Sequence, residues 1–181
     1  IFHLVSVGSK RFLTNKVDRS VTGRVAQQQC VGPLHTPLSN YGLIANSFYP
    51  SVYPNDTTGT YTGCVTSIGE QPLVGLVARN GPEAMVHKTF AEALSNLVWC
   101  RIDALTQVRC SANWMWPPPD QDPVQGYAMY TAAQTLSALM IAMGMAIDGG
   151  KDSLSMVVQH ENKRVLSPGT LVLSLYARCP N

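Results

Sequence analysis

Charge is scarce in this chain. Only 13% of its 181 residues are charged, the formal net charge is +2 at pH 7, and no run of basic residues occurs. That balance lacks the electrostatic footprint of a nucleic-acid surface or an acidic-membrane surface. Long apolar runs are also missing. The longest apolar helical pattern, near residues 132–147, is interrupted by Gln134, Ser137 and Gly144, whereas a membrane-spanning helix needs about 20 cleaner apolar residues. No C-x-x-C pair links Cys30, Cys64, Cys100, Cys110 and Cys179, and His3, His35, His87 and His160 are scattered without ligand spacing. Those absences argue against a zinc site and for reduced thiols in a cytoplasmic protein. A Walker-type phosphate loop is absent, as is a signal-peptide pattern. The chain does not begin with Met but opens on the strand-like run IFHLVSV, so we expect a piece of a larger polypeptide.

What is present suffices for one domain, residues 1–181, since 45% of residues are hydrophobic and the length allows a proper core. Residues 1–7 read as a strand. Residues 8–40 are dense in polar groups without a clean period and read as a long loop-rich segment of the kind that often carries function. Strands are expected at 41–45, 61–68, 101–108, 154–160 and 170–177. Residues 49–60, YPSVYPNDTTGT, are turn chemistry and read as an exposed loop. One helix is expected from Asn80, with Pro82 and Glu83 in its first turn, to about residue 99. A second begins at Asp122–Pro123 and runs to about residue 147. DGGKDS reads as a tight loop after it. This irregular alternation of strands and helices points to an α+β or α/β class.

Two features have the residue types for chemistry. On the first helix Glu92 and Asn96 are four apart, which stacks a carboxylate and an amide on one face. They can supply part of an oxygen shell for magnesium, or simply face solvent and cap something locally. In DGGKDS, glycines beside Lys151 allow a close approach to an anion, or form a plain turn. Trp114 and Trp116 read as packing residues.

Several motifs carry more than their composition. GSKRFLTNKVDRSVTGRVAQQQCVGPLHTPL, GEQP, AEALSNLV, SANWMW, DGGKDSLSM and SPGTLVLSLYARCP stand in this order along nearly the whole chain, apart from residues 49–60. In that order they resemble the long, single-chain form of phosphoribosylformylglycinamidine synthase. The resemblance places this chain at the N-terminal half of the second of two units similar to aminoimidazole ribonucleotide synthetase. It implies an α+β fold, with a mixed sheet packed on helices and used for pairing with the homologous half-domain of the first unit. The family reaction is that of a ligase in purine biosynthesis. ATP activates the formamide oxygen of formylglycinamide ribonucleotide, glutamine-derived ammonia gives the amidine, and ADP, phosphate and glutamate are released. The histidine-rich motif and long ATP loop of the first unit and the glutaminase nucleophile are absent here, so the chain alone is expected to be inactive.

The same resemblance implies site residues. Lys10 and Ser39 fall at nucleotide-binding positions. Asn40, Glu92 and Asn96 fall at positions that hold magnesium, and Asp18, Gln29, Lys151, Asp152 and Ser153 lie near substrate or phosphate. PLSN departs from the family's P-[LV]-A-D, so Asn40 stands where an aspartate is expected and one negative charge is lost. The implied cofactors are Mg2+ and ATP or ADP. The implied partners are the rest of the parent polypeptide, chiefly its first unit, and formylglycinamide ribonucleotide. Nucleic acid and membrane are not expected, and the isolated chain is expected to expose an apolar sheet face and self-associate. The alternative is a catalytically degenerate homologue that keeps the fold for scaffolding or protein interaction, and Asn40 leans that way.

Overall fold

The computed structural model describes residues 3, 8, 23–34, 36–37, 39–50 and 61–180. The strand expected at 1–7, Lys10, Asp18 and most of the loop expected at 49–60 lie outside the described residues. Ten strands and three helices occur among the described residues. The strands are β1 (Val25–Gln27), β2 (Cys30–Val31), β3 (Thr36–Pro37), β4 (Tyr41–Ala45), β5 (Thr62–Glu70), β6 (Arg109–Met115), β7 (Ala146–Ser153), β8 (Val157–His160), β9 (Lys163–Leu166) and β10 (Thr170–Pro180). The helices are α1 (Pro72–Val77), α2 (Gly81–Leu97) and α3 (Pro123–Met143).

Six strands form one mixed sheet in the order β1-β4-β5-β10-β6-β7. All neighbours are antiparallel except β6 and β7, which α3 joins as a parallel crossover. Alternation along β5 and β10 sets the layers. Val65, Ser67, Leu171, Leu173 and Leu175 are buried, while the residues between them are exposed or half-buried. The buried set meets Met85, Val86, Phe90, Ala93 and Leu97 of α2, whose spacing makes one helical face. From α3, Ala132, Leu136 and Met140 join the same core. The helices cover one sheet face and the other is open. None of the described helices is long and apolar enough to cross a membrane.

The contact that matters most for the site is between α2 and β5. A Cβ on Gly69 would lie 2.1 Å from Thr89 O and 2.7 Å from Ala93 N, so only glycine lets this backbone ride on the helix. Ser67 Oγ bonds Ala93 O at 2.7 Å in the same contact. Close approach brings short α2 side chains within reach of the β5 backbone.

Several expected boundaries move. Residues 101–108 are mostly irregular, with a short 3-10 turn at Leu105–Gln107, and the strand lies at Arg109–Met115, where alternate residues can enter the core. The second helix begins at the expected cap, with Val124 N donating to Asp122 Oδ1 at 3.0 Å. It ends at Met143 rather than near 147, because Gly144 turns left-handed at φ 65° and Met145 N bonds back to Met140 O. DGGKDS is not a loop: it lies within edge strand β7. Gly150, at φ 146°, seats β7 against β6, where a Cβ would lie 2.1 Å from Ala112 O. Helix α1 was not expected, and Asn80 sits at the start of α2 without a side-chain cap bond. The short strands β1 to β3 fall within the segment read as loop. Trp116 is buried in the core with Trp114 half-buried beside it, their ring centroids 6.4 Å apart, as packing residues should be.

Candidate functional site

The site begins with a length mismatch. β4 pairs with β5 from Ala45–Gly63 to Tyr41–Ser67, but β5 continues to Glu70. Strand-edge N–H and C=O groups left by a neighbouring strand bond either to water or to other protein groups. Here α2 side chains supply the partners. Asn96 Nδ2 donates to Ile68 O at 3.1 Å, and Glu92 Oε2 accepts from Glu70 N at 2.8 Å. Gln71 Nε2 donates to the same Glu92 oxygen at 3.0 Å. The four-residue spacing of Glu92 and Asn96 therefore matches two successive edge groups of β5.

These bonds fix which atoms remain. A carbonyl at Ile68 demands the NH2 of Asn96, so the amide orientation is determined and Oδ1 faces away. Two donors hold Glu92 Oε2. Among the described residues, Glu92 Oε1 and Asn96 Oδ1 accept no hydrogen bond. Asn40 directly precedes Tyr41, at the point where the β4–β5 ladder ends, and is exposed. By register, Asn40 stands at the end of the strand pair whose β5 edge Glu92 and Asn96 occupy. Their free atoms are hard oxygens of the kind magnesium takes. The set is poor in charge, with no group of three or more His, Cys, Asp or Glu among the described residues.

Ser39 is nearly buried and its hydroxyl is engaged. It donates to Tyr41 O at 3.1 Å and accepts from Gln27 Nε2 at 3.2 Å, while Ser39 N bonds Gln29 O at 3.1 Å. Gln29 thus meets Ser39 through its backbone, and its side chain is exposed.

Lys151, Asp152 and Ser153 lie on β7, three strands from β5. The register nevertheless links the two clusters. Glu70 pairs with Val172, Val172 with Asn113, and Asn113 with Lys151, so all four form one row at the same end of the sheet. Three strand spacings amount to about 14 Å. Lys151 and Ser153 share the open face, with Lys151 Nζ 2.6 Å from Ser153 Oγ. Asp152 pairs with Trp114 and lines a cleft of about 480 Å3 with Met129 and Ile147, to which Lys151 also contributes. The expected phosphate-approaching loop is therefore a strand whose Lys and Ser face one way and whose Asp faces the other.

Three participants escaped the sequence reading. Gln71 and the Glu70 N–H anchor Glu92, and the Tyr176 hydroxyl donates to Asp148 on the open face. Asp148 is the extra residue where the β6–β7 register shifts. GEQP marked Gln71 as part of a motif but not its task. The open face mixes apolar and polar side chains. Ile68 and Val172 stand on it among Thr66, Ser174, Asn113 and Arg178.

The family model described as the FGAR-AT PurM_N-like domain matches residues 9–178. The chain is 49% identical over its full length to phosphoribosylformylglycinamidine synthase of Drosophila melanogaster and 45% identical to that of Homo sapiens. It spans 12% of the length of each of these relatives. Among solved structures, PurLQS from Thermotoga maritima superposes on 96% of this chain and 24% of that one, with a TM-score of 0.57 at 18% identity. The T. maritima PurL complexed with ADP covers 78% of this chain and 20% of that one, with a TM-score of 0.52 at 17% identity. With a family match over nearly all of its length, the chain belongs to the FGAR-AT PurM_N-like domain family.

Proposed function

We propose that this chain is a single nucleotide-binding-type domain of a phosphoribosylformylglycinamidine synthase. That enzyme is an ATP-dependent amidoligase of cytoplasmic purine biosynthesis, with formylglycinamide ribonucleotide and glutamine as its other substrates. The chain contributes an auxiliary Mg–nucleotide site and a domain interface, and does not turn over alone. One observation carries the reading: where β4 stops short of β5, just after Asn40, Glu92 and Asn96 take over the β5 edge, with Glu92 Oε1 and Asn96 Oδ1 left over from the bonds that position them. When bound, magnesium would neutralise nucleotide phosphates at that end of the sheet. Lys10 and Ser39 complete the nucleotide contacts in this proposal. Lys151, Asp152 and Ser153, with Asp18 and Gln29, belong to the substrate or phosphate side. The open face pairs with the homologous half-domain of the first unit.

Asn40 favours a weak site, as a degenerate homologue would have. An amide oxygen still coordinates, but the trio holds one carboxylate where an aspartate at 40 would make two. Titration calorimetry of the chain with Mg–ADP tests this. Weak binding is expected, and Asn40→Asp should tighten it about tenfold, a change of about 1.4 kcal/mol. Affinity left unchanged or lowered by Asn40→Asp would remove Asn40 from the ligand set.

A further inference from the structure

We propose that Cys100 and Cys179 form a redox modification site, closed to a reversible disulfide by a small disulfide oxidant. Their Sγ atoms lie 3.3 Å apart although the residues are 79 positions apart in sequence. Both side chains are half-buried, so a small reagent can reach them. Cys100 follows the C-terminal end of α2, with its N–H on Leu97 O at 3.1 Å. Cys179 lies near the end of β10, opposite Gly63 of β5. A bond between them would staple the end of the helix that carries Glu92 and Asn96 to the central strand of the sheet. The other three thiols differ. Cys110 is fully buried, and Cys30 is buried within β2, opposite Pro37 of β3. Cys64 bonds Val65 O and has no sulfur beside it among the described residues.

The chemistry balances with glutathione disulfide as oxidant. One protein thiolate attacks a glutathione sulfur and expels a glutathione thiolate, which takes up the proton the protein thiol released. The second protein thiolate then attacks the protein sulfur of this mixed disulfide and expels the second glutathione. Two protein thiols are oxidised and one glutathione disulfide is reduced to two thiols. Burial first, and then the neighbouring Cys179, push the Cys100 thiol up to about 11. The reaction is therefore slow at neutral pH and quickens as pH rises.

The test incubates the folded chain with glutathione disulfide at mildly alkaline pH. Expected are a mass loss of about 2 Da, the signature of two thiols joined, and a proteolytic peptide linking Cys100 to Cys179 that separates on reduction. Thermal melting should shift upward on oxidation and return with reductant. Cys100→Ser, checked for fold by circular dichroism, should instead carry one glutathione at Cys179 and show no shift. Five titratable thiols persisting under oxidant, separate glutathione adducts on both cysteines, a crosslink formed only in urea, or a lowered melting temperature would each overturn the proposal.

Discussion

At the scale of single residues, Glu92 has two tasks that substitution can separate. One carboxylate oxygen holds the end of β5 through Glu70 N and Gln71, and the other is offered to a cation. Glu92→Ala removes two hydrogen bonds at an exposed edge, where water can replace the acceptor, and should cost about 1 kcal/mol in urea unfolding. Gln71→Ala removes one of two donors. It should cost less than about 1 kcal/mol and weaken Mg–ADP binding in calorimetry, because the carboxylate is then held by Glu70 N alone and is less firmly oriented. If Gln71→Ala left binding untouched, its anchoring of Glu92 would have no consequence for the ligand. The E-x-x-x-N spacing was readable as two oxygens on one helical face. That the same two side chains also replace a missing strand was not, because it depends on where β4 stops.

At the scale of elements, the α2–β5 contact sets the reach of those side chains. Gly69→Ala would drive a methyl into the backbone of α2 at Thr89 and Ala93. Rigid backbone has little room to yield, so a loss of about 3 kcal/mol is expected in denaturant unfolding, together with weaker Mg–ADP binding. β7 teaches the opposite lesson. DGGKDS has turn composition, yet the sheet needs a parallel partner for β6 and takes this segment, with Gly150 permitting the approach. Local propensity loses there to the hydrogen bonds of the ladder. Cys110, on β6, brings a pH dependence. Burial first, and then the charge of Asp148, push its thiol up to about 12 from an ordinary 9.0. A raised folded-state value means the folded chain binds more protons than the unfolded one between those limits. Its contribution is complete below pH 9 and fades as pH rises toward 12. Unfolding free energy measured at rising pH across that window should fall, and Cys110→Ala should flatten the slope.

At the scale of the whole molecule, the sheet has one covered face and one open face. The open face mixes Ile68 and Val172 with hydroxyls, amides and Arg178 rather than presenting an apolar slab. Such a surface suits specific pairing with a matching sheet more than strong indiscriminate association. Sedimentation velocity of the isolated chain should show weak, concentration-dependent self-association that Ile68→Lys reduces. A clean monomer at high concentration would count against pairing through this face. The row from Glu70 through Val172 and Asn113 to Lys151 spans that face at one end. It gives the two clusters a common surface that neither motif alone implied.

By itself the sequence determined the family through its ordered motifs, the starts of the two long helices through Pro82 and the Asp122–Pro123 pair, and the approximate places of strands β4, β5 and β10. It also determined which polar residues are unusual for their surroundings, and it located the loss of charge at Asn40. Only the tertiary structure decided that DGGKDS is an edge strand, that Asp152 and Lys151 face opposite ways, and that Cys100 meets Cys179. It also decided that Glu92 and Asn96 each spend one hydrogen bond on the free edge of β5. The physical reason is common to these cases. Periodicity and caps are local properties of a segment, whereas strand order, register and the partner of an edge group depend on which segments lie side by side.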